Sequence, residues 1–147
     1  MDTQEACDLA ITLMVKHGLM TETPSTWHFE FDAATTRLGL CRYKTRTITL
    51  SRRLTEVNAR ETVLDTILHE IAHAKAGYAA AHGYAWRQVA RSIGAQPDRV
   101  CGDGVRQVAG AYQATCGCGL DHNMYRMPRN RKRCRRCKEP LDFKKVG

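Results

Sequence analysis

The chain has 147 residues, of which 43% are hydrophobic, a composition that predicts a folded domain and excludes wholesale disorder. No stretch holds the roughly 18 apolar residues of a membrane-spanning helix, and residues 1–5 are acidic where a secretory signal is basic. We therefore expect a cytoplasmic protein that is neither secreted nor membrane-bound. This length favours one compact domain with at most a small appendage.

The net charge of +8 is concentrated near one end of the chain. Residues 1–115 carry 13 Lys and Arg against 12 Asp and Glu, a net of +1, whereas residues 121–147 carry 10 against 3, a net of +7. A dense surface of one sign attracts a polymer of the opposite sign. The C-terminal segment is therefore the predicted place of contact with a nucleic acid.

The first predicted element is an amphipathic helix over residues 3–17. Its apolar residues follow the i, i+3, i+4, i+7 spacing of one buried face. Asp2 and Glu5 have the spacing of a capping box at its start. His17, the last residue of the stripe, is interpreted as a helix-end residue rather than a metal ligand.

Three short strands are predicted next. Segment 27–31 alternates aromatic and polar residues, the period of a half-buried strand, which places His28 on the polar face. In segment 37–43 the alternation slips near Gly39, which predicts a bulge or a close packing contact. The third strand is segment 47–51, with its apolar residues inward, and the intervening residues form a hairpin turn.

Two helices are predicted after the strands. Asn58 and Glu61 have capping-box spacing and predict the start of a helix that continues to about Ala76. A further helix is predicted over residues 84–93, since a glycine and then a proline follow it. Residues 94–110, with four glycines and one proline, are interpreted as a connection.

The first of these helices contains the HExxH motif His69-Glu70-Ile71-Ala72-His73. Four residues advance a helix by about 400°, so the two imidazoles project from nearly the same face. This arrangement suits two ligands of one zinc ion, while Glu70 can reach an attacking water as general base without being a ligand. The alternative is a core or surface histidine pair that binds no metal.

A catalytic zinc needs a third protein ligand and one open position. His82 is the predicted third ligand, with the spacing HExxH-x8-H. Metzincins have glycine at the position of Ala76, and no Glu, the third ligand of thermolysin-like enzymes, occurs in residues 71–138. The alternative for His82 is a plain helix-cap residue.

A second group that stabilises developing negative charge is common in such sites. Tyr78, Tyr84 and Arg87 are candidates, although each is equally explicable as a packing or surface residue. Trp86 is predicted to be core packing that fixes the third ligand.

Seven cysteines are many for a cytoplasmic chain of this length. Four of them form two close pairs: Cys116, Cys118, Cys134 and Cys137. Paired cysteines in a reducing compartment are typical metal ligands, and so short a segment needs an ion to fold, which predicts a structural zinc. The alternatives are free thiols or a regulatory disulfide. His122 is interpreted either as a substitute ligand or as an ordinary loop residue.

Eight basic residues crowd around the second cysteine pair. They are Arg126, Arg129, Arg131, Lys132, Arg133, Arg135, Arg136 and Lys138. Because no base-reading signature accompanies them, they predict sequence-independent binding of nucleic acid. The alternative is a solvated charged face. Tyr125 is a candidate for stacking on an unpaired base or for the small core of this segment.

Several motifs occur in one order along most of residues 25–143. They are Leu38-Gly39-x-Cys41, Ile48-x-Leu50-Ser51, Leu68-His69-Glu70-Ile71-Ala72-His73, His82-Gly83-x-x-Trp86, Tyr112-x3-Cys116-x-Cys118 and Cys134-x2-Cys137. In this combination the chain resembles the SprT-like metalloprotease domain, a family that includes the Spartan proteases.

With this resemblance, the predicted elements imply an α+β fold: a zincin-like domain (N-terminal helix, small three-stranded sheet, HExxH helix, following ligand helix) and a C-terminal zinc ribbon. We expect the metalloprotease domain over residues 1–110 and the basic zinc-ribbon module over residues 111–147, with one catalytic and one structural Zn²⁺.

The resemblance also implies a DNA-activated zinc metalloendopeptidase, associated with the nucleoid, that cleaves proteins bound or crosslinked to DNA. The first alternative is a non-catalytic nucleic-acid-binding adaptor that retains the scaffold. The second is a peptidase without a link to DNA, whose basic tail binds RNA or an acidic protein. An intact Glu70 favours an enzyme, since a structural zinc needs no adjacent base.

Overall fold

The structure, a computed structural model, describes residues 1–98 and 104–146. The chain is of the α+β class and divides into two compact units, Met1–Gln107 and Val108–Gly147. The elements of the first unit are α1 (Thr3–Lys16), β1 (His28–Asp32), β2 (Gly39–Arg42), β3 (Thr47–Ser51), α2 (Arg52–Val57), α3 (Arg60–Ala76), the 3-10 turn Tyr78–Ala80 and α4 (Tyr84–Ile93). The second unit contains β4 (Tyr112–Thr115), β5 (Asp121–Met124) and β6 (Lys144–Lys145). No helix in the described ranges is long and apolar enough to cross a lipid bilayer.

The sheet of the first unit has the order β1-β3-β2, with β1 parallel and β2 antiparallel to the central strand. The three predicted strands and the hairpin between β2 and β3 are confirmed. All five residues of β3 are buried, so the polar ones need internal partners. Thr49 Oγ1 donates to Asp32 Oδ2 (2.8 Å), and Ser51 Oγ donates to the Ala34 carbonyl (2.6 Å). Both faces of β3 are therefore covered, rather than the apolar face alone.

Helix α1 is confirmed and ends one residue before the predicted limit. The Asp2 side chain caps it by accepting from the amides of Gln4 and Glu5. His17 is the C-cap residue, and burial, with the nearby charges of Lys16 and Lys75, lowers its pKa.

The predicted capping role of Asn58 is wrong. Asn58 ends the short helix α2, which the sequence did not reveal, and α3 begins at Arg60 without a side-chain cap. The buried Asn58 amide is saturated elsewhere: its Nδ2 donates to the carbonyls of Leu54 (2.7 Å) and Arg106 (2.8 Å), and its Oδ1 accepts from the Arg106 amide (2.6 Å). The Asn58 side chain thus holds Arg106, a residue of the predicted connection, against the end of α2.

Helices α3 and α4 have the predicted ends at Ala76 and Ile93. Gly94 follows α4 in the left-handed conformation, where glycine is favoured. The predicted connection 94–110 contains no helix or strand where it is described, and its residues 99–103 lie outside the described ranges.

The second unit is a three-stranded antiparallel sheet of order β5-β4-β6. Its described hydrophobic core is a cluster of five buried residues, two of them cysteines: Ala114, Cys116, Cys134, Leu141 and Phe143. So small an apolar cluster is a weak source of stability by itself.

Candidate metal centres

Three histidine side chains converge in the first unit. The Nε2 atoms of His69 and His73 are 3.2 Å apart, and His82 Nε2 lies 3.1 Å from the former and 3.0 Å from the latter. Tetrahedral nitrogen ligands at about 2.0–2.1 Å from one zinc are separated by about 3.3 Å. The three imidazoles could therefore hold one metal ion and leave a fourth position open.

The chain reverses direction between the second and third of these histidines. Helix α3 ends at Ala76, and its C-cap residue is Gly77, whose φ of 85° is one that L side chains rarely adopt. The 3-10 turn follows, and the Gly83 amide bonds the Ala80 carbonyl at 2.8 Å. This tight loop returns His82 to the face of α3 that carries His69 and His73.

Trp86 packs against all three imidazoles from α4. Its side chain is 1% exposed, and its ring centroid lies 4.7 Å from those of His69 and His82 and 5.2 Å from that of His73. A large buried ring in contact with each imidazole restricts their rotation. Trp86 thus acts on the whole triad, where the sequence indicated an effect on the third histidine alone.

Burial gives the first two imidazoles the form that binds metal. It lowers the pKa of His69 to about 4, with a further contribution from His82, and the pKa of His73 to about 4, with contributions from both other histidines. Both rings are therefore neutral near pH 7, and a neutral imidazole is the form that coordinates a cation.

Glu70 is buried beside the triad, with 4% of its surface exposed. Burial raises its pKa to about 7, against the opposing effects of the Cys41 backbone amide and the Arg37 charge. A carboxyl group with a pKa near neutrality can both accept and return a proton. Arg37 is itself held by an ion pair with Asp32, with Nη1 and Oδ2 2.8 Å apart.

Gly39 explains how β2 approaches Glu70 so closely. A Cβ atom at this position would lie 3.0 Å from Glu70 Cγ and 2.6 Å from Thr66 Cγ2. Glycine alone lets the strand backbone lie against α3, so the close packing contact predicted at this residue is confirmed.

The triad and Glu70 open into one cleft of about 300 Å³. Its lining comes from α3, from the loop after it and from the β2 region: Arg37, Gly39, Leu40, Cys41, Tyr43, His69, Glu70, His73 and His82. The sequence did not single out Tyr43 or Arg37. The available signal was that Arg37, Gly39, Cys41 and Tyr43 stand two residues apart in the predicted strand 37–43, a spacing that places residues on one face.

The residues predicted to stabilise developing negative charge beside the metal do not line this cleft. Tyr78 and Tyr84 are 81% and 80% exposed, and Arg87 is also exposed. These three residues flank the third histidine in sequence, but their side chains are exposed to solvent.

The second unit brings its four cysteines together, with all four Sγ atoms within 4.8 Å of one another: Cys116, Cys118, Cys134 and Cys137. Individual Sγ–Sγ distances of 2.9, 3.4 and 3.8 Å compare with about 3.8 Å for tetrahedral thiolates around zinc. These thiols are unbridged, and the group could hold a second metal ion. His122 lies near Cys116, which raises its pKa, but it is not one of the convergent ligands.

All eight basic residues named from the sequence are exposed. None forms an ion pair with a carboxylate of the described chain; Arg133 and Lys138 instead donate to backbone carbonyls. Tyr125 is half-buried, and its hydroxyl donates to the Val108 carbonyl at 2.7 Å. The hydroxyl group thus forms a hydrogen bond within the second unit.

The structure therefore defines an α+β protein with a His₃ group and a Cys₄ group, each able to bind a metal ion. The model of the SprT-like family matches residues 10–106, and the chain belongs to that family. Membership indicates a function of the zinc-metalloprotease type. Comparison with curated proteins and with solved structures gave no significant match.

Proposed function

We propose that the protein is a zinc-dependent endopeptidase with a zincin-like active site, activated by DNA and acting on proteins bound or crosslinked to it. His69, His73 and His82 would hold the catalytic ion, and Glu70 would be the general base. The observation that carries this proposal is a buried carboxyl group, 4% exposed, in the same cleft as three convergent imidazoles.

Zinc, when bound, supplies a Lewis acid that acidifies water and polarises a carbonyl group. Glu70 takes a proton from the attacking water as the new C–O bond forms at the scissile carbonyl. It returns that proton to the leaving amine as the C–N bond breaks. Trp86 keeps the imidazoles in position, so little reorganisation is needed for each turnover.

Strand β2 is the best candidate for holding the substrate. It forms an edge of the sheet order β1-β3-β2, and in the described chain no strand pairs with its outer side. It also lines the cleft that contains the triad. An extended peptide could therefore add to β2 as a further strand and present its backbone to the cleft.

The second unit would supply the contact with DNA. A structural zinc on the four cysteines would stabilise a zinc ribbon whose exposed basic residues meet phosphates independently of sequence. Tethering to DNA would raise the local concentration of protease near other DNA-bound proteins, and this would account for the proposed activation by DNA in a nucleoid-associated enzyme of the cytoplasm.

The decisive experiment incubates the zinc-loaded protein with a DNA-binding protein, alone and with single- or double-stranded DNA. We expect cleavage that requires a DNA long enough to carry both proteins, and none with very short oligonucleotides. Equal cleavage with and without DNA would favour a peptidase whose activity has no link to DNA. DNA binding without any cleavage would favour the non-catalytic adaptor.

Binding to duplex DNA is expected to weaken strongly with salt. If about five phosphates are neutralised, affinity should fall about 500-fold between 50 and 200 mM salt, measured by fluorescence anisotropy. Replacing Arg129, Arg131 and Lys132 by Gln should flatten this dependence, whereas Arg53→Gln in the first unit should not. A salt-independent affinity of the wild type would contradict the proposed interface.

A further inference from the structure

We propose that the Tyr43 hydroxyl is the group in the cleft that stabilises the oxyanion formed during peptide cleavage. This inference rests on the proposed peptidase function. Its starting point is that the candidates Tyr78 and Tyr84 are exposed and do not line the cleft, whereas Tyr43 lines it together with Glu70 and the three histidines.

The backbone directs Tyr43 toward α3. Gly39 lies against Glu70, and Cys41, two residues later in β2, shares its face. Tyr43 directly follows the strand, and its side chain lines the same cleft as Glu70. The interactions of the Tyr43 hydroxyl agree with this direction, since the Cys41 thiol and the Glu70 carboxylate both act on it.

The ring of Tyr43 is held between two other aromatic rings. Its centroid lies 6.3 Å from that of Trp27 and 5.5 Å from that of Tyr78, with interplanar angles of 80° and 85°. Such edge-to-face contacts fix a ring without using its hydroxyl. The hydroxyl is thereby positioned in advance, a requirement for an effective oxyanion donor.

The protonation state suits a donor. Burial raises the pKa of Tyr43 to about 12, with further contributions from the neighbouring Cys41 and Glu70. The hydroxyl is therefore protonated near pH 7, and its part in the proposal is to donate a hydrogen bond, not a proton. The proton that moves from the attacking water to the leaving amine is carried by Glu70, so the mechanism needs no proton from Tyr43.

Arg37 is the other strong donor of the cleft. Its guanidinium is paired with Asp32 at 2.8 Å, and its charge acts on Glu70 by lowering the pKa of that carboxyl group. The ion pair gives Arg37 a role in fixing the loop before β2. Among the residues that line the cleft, Tyr43 is therefore the hydroxyl donor, and in the transition state it would exchange its hydrogen bond with the Cys41 thiol for one with the oxyanion.

Tyr43→Phe keeps the aromatic contacts and removes only the hydroxyl. We expect kcat to fall about 10²-fold with KM nearly unchanged, because the lost bond is made only in the transition state. A phosphinic peptide, whose tetrahedral anion mimics that state, should bind about 10²-fold more weakly by calorimetry. Zinc content and melting temperature should not change.

Tyr78→Phe is the matched control, since it alters an exposed hydroxyl next to the same ring and should leave kcat and inhibitor affinity within about twofold. Full kcat for Tyr43→Phe, or a loss seen only with Arg37→Gln, would overturn the inference while leaving the peptidase intact. If the zinc-loaded wild type proved as inactive as Glu70→Gln, both the peptidase function and the inference about Tyr43 would be overturned.

Discussion

Glu70→Gln is expected to slow peptide cleavage by about 10²–10⁴-fold, the usual contribution of a general base, and to leave the zinc content unchanged. The Glu70 carboxyl lies in the cleft with the three imidazoles but is not one of the convergent ligands. Glutamine has nearly the same shape and cannot accept the proton of the attacking water. Turnover of a DNA-bound substrate and zinc per chain, measured on the same preparation, test both parts.

His73→Ala separates loss of the base from loss of the metal. Its Nε2 atom lies 3.2 and 3.0 Å from those of the other two histidines, so its removal should abolish both cleavage and zinc binding at this site. Equal cleavage rates for Glu70→Gln and the wild type would refute the proposed role of Glu70.

Stability provides a second control on the glutamine variant. Folding raises the pKa of Glu70 from 4.5 to about 7. The protonated carboxyl group therefore stabilises the folded state fully below about pH 4.5, and this contribution is lost as the pH rises through 7. The neutral amide avoids this loss. Metal-free Glu70→Gln should therefore melt no lower than the metal-free wild type at pH 8, so that misfolding does not explain its inactivity.

The local part of the candidate site could be read from the sequence because helical periodicity fixes it. The spacing of His69 and His73 determines that both face one side of α3, whatever the rest of the chain does. To predict His82 as a ligand required one further inference. A helix that is followed by a glycine and a short loop can bring a later residue back to the same face of the helix. The structure brings the three rings together by such a loop.

The non-local part of the cleft could not be read in the same way. Tyr43 belongs to the site only because β2 lies against α3, and that approach depends on the absence of a side chain at Gly39. The sequence indicated a close contact at Gly39 without naming its partner. Tertiary packing supplied that partner, Glu70.

The missed helix and the misplaced cap have one physical origin. Helix α2 has six residues, too few for a 3.6-residue period to be distinguished from an extension of β3. Asn58 then stood at a plausible distance before the next helix and matched the capping-box pattern with Glu61. In the structure its amide bonds Arg106, a partner 48 residues away that no local pattern indicates.

Cys134→Ser is expected to release one zinc ion per chain and to unfold the second unit. The side chain is 1% exposed and lies in the small buried cluster, with Sγ 3.4 Å from that of Cys116. Metal binding at a structural zinc site is worth about 10–16 kcal/mol, far more than a five-residue core contributes. Loss of one ligand therefore removes most of the stability of this unit, and DNA binding should disappear with it.

Zinc analysis and amide NMR together test this expectation. Zinc should fall from two ions per chain to one, and the dispersed amide signals of residues 108–146 should collapse while those of residues 1–98 persist. Cys7→Ser is the matched control, because Cys7 is half-buried in α1 and lies outside both ligand groups, so both ions should remain. A folded second unit in Cys134→Ser would show that packing rather than metal holds it, because the serine side chain supplies no thiolate ligand.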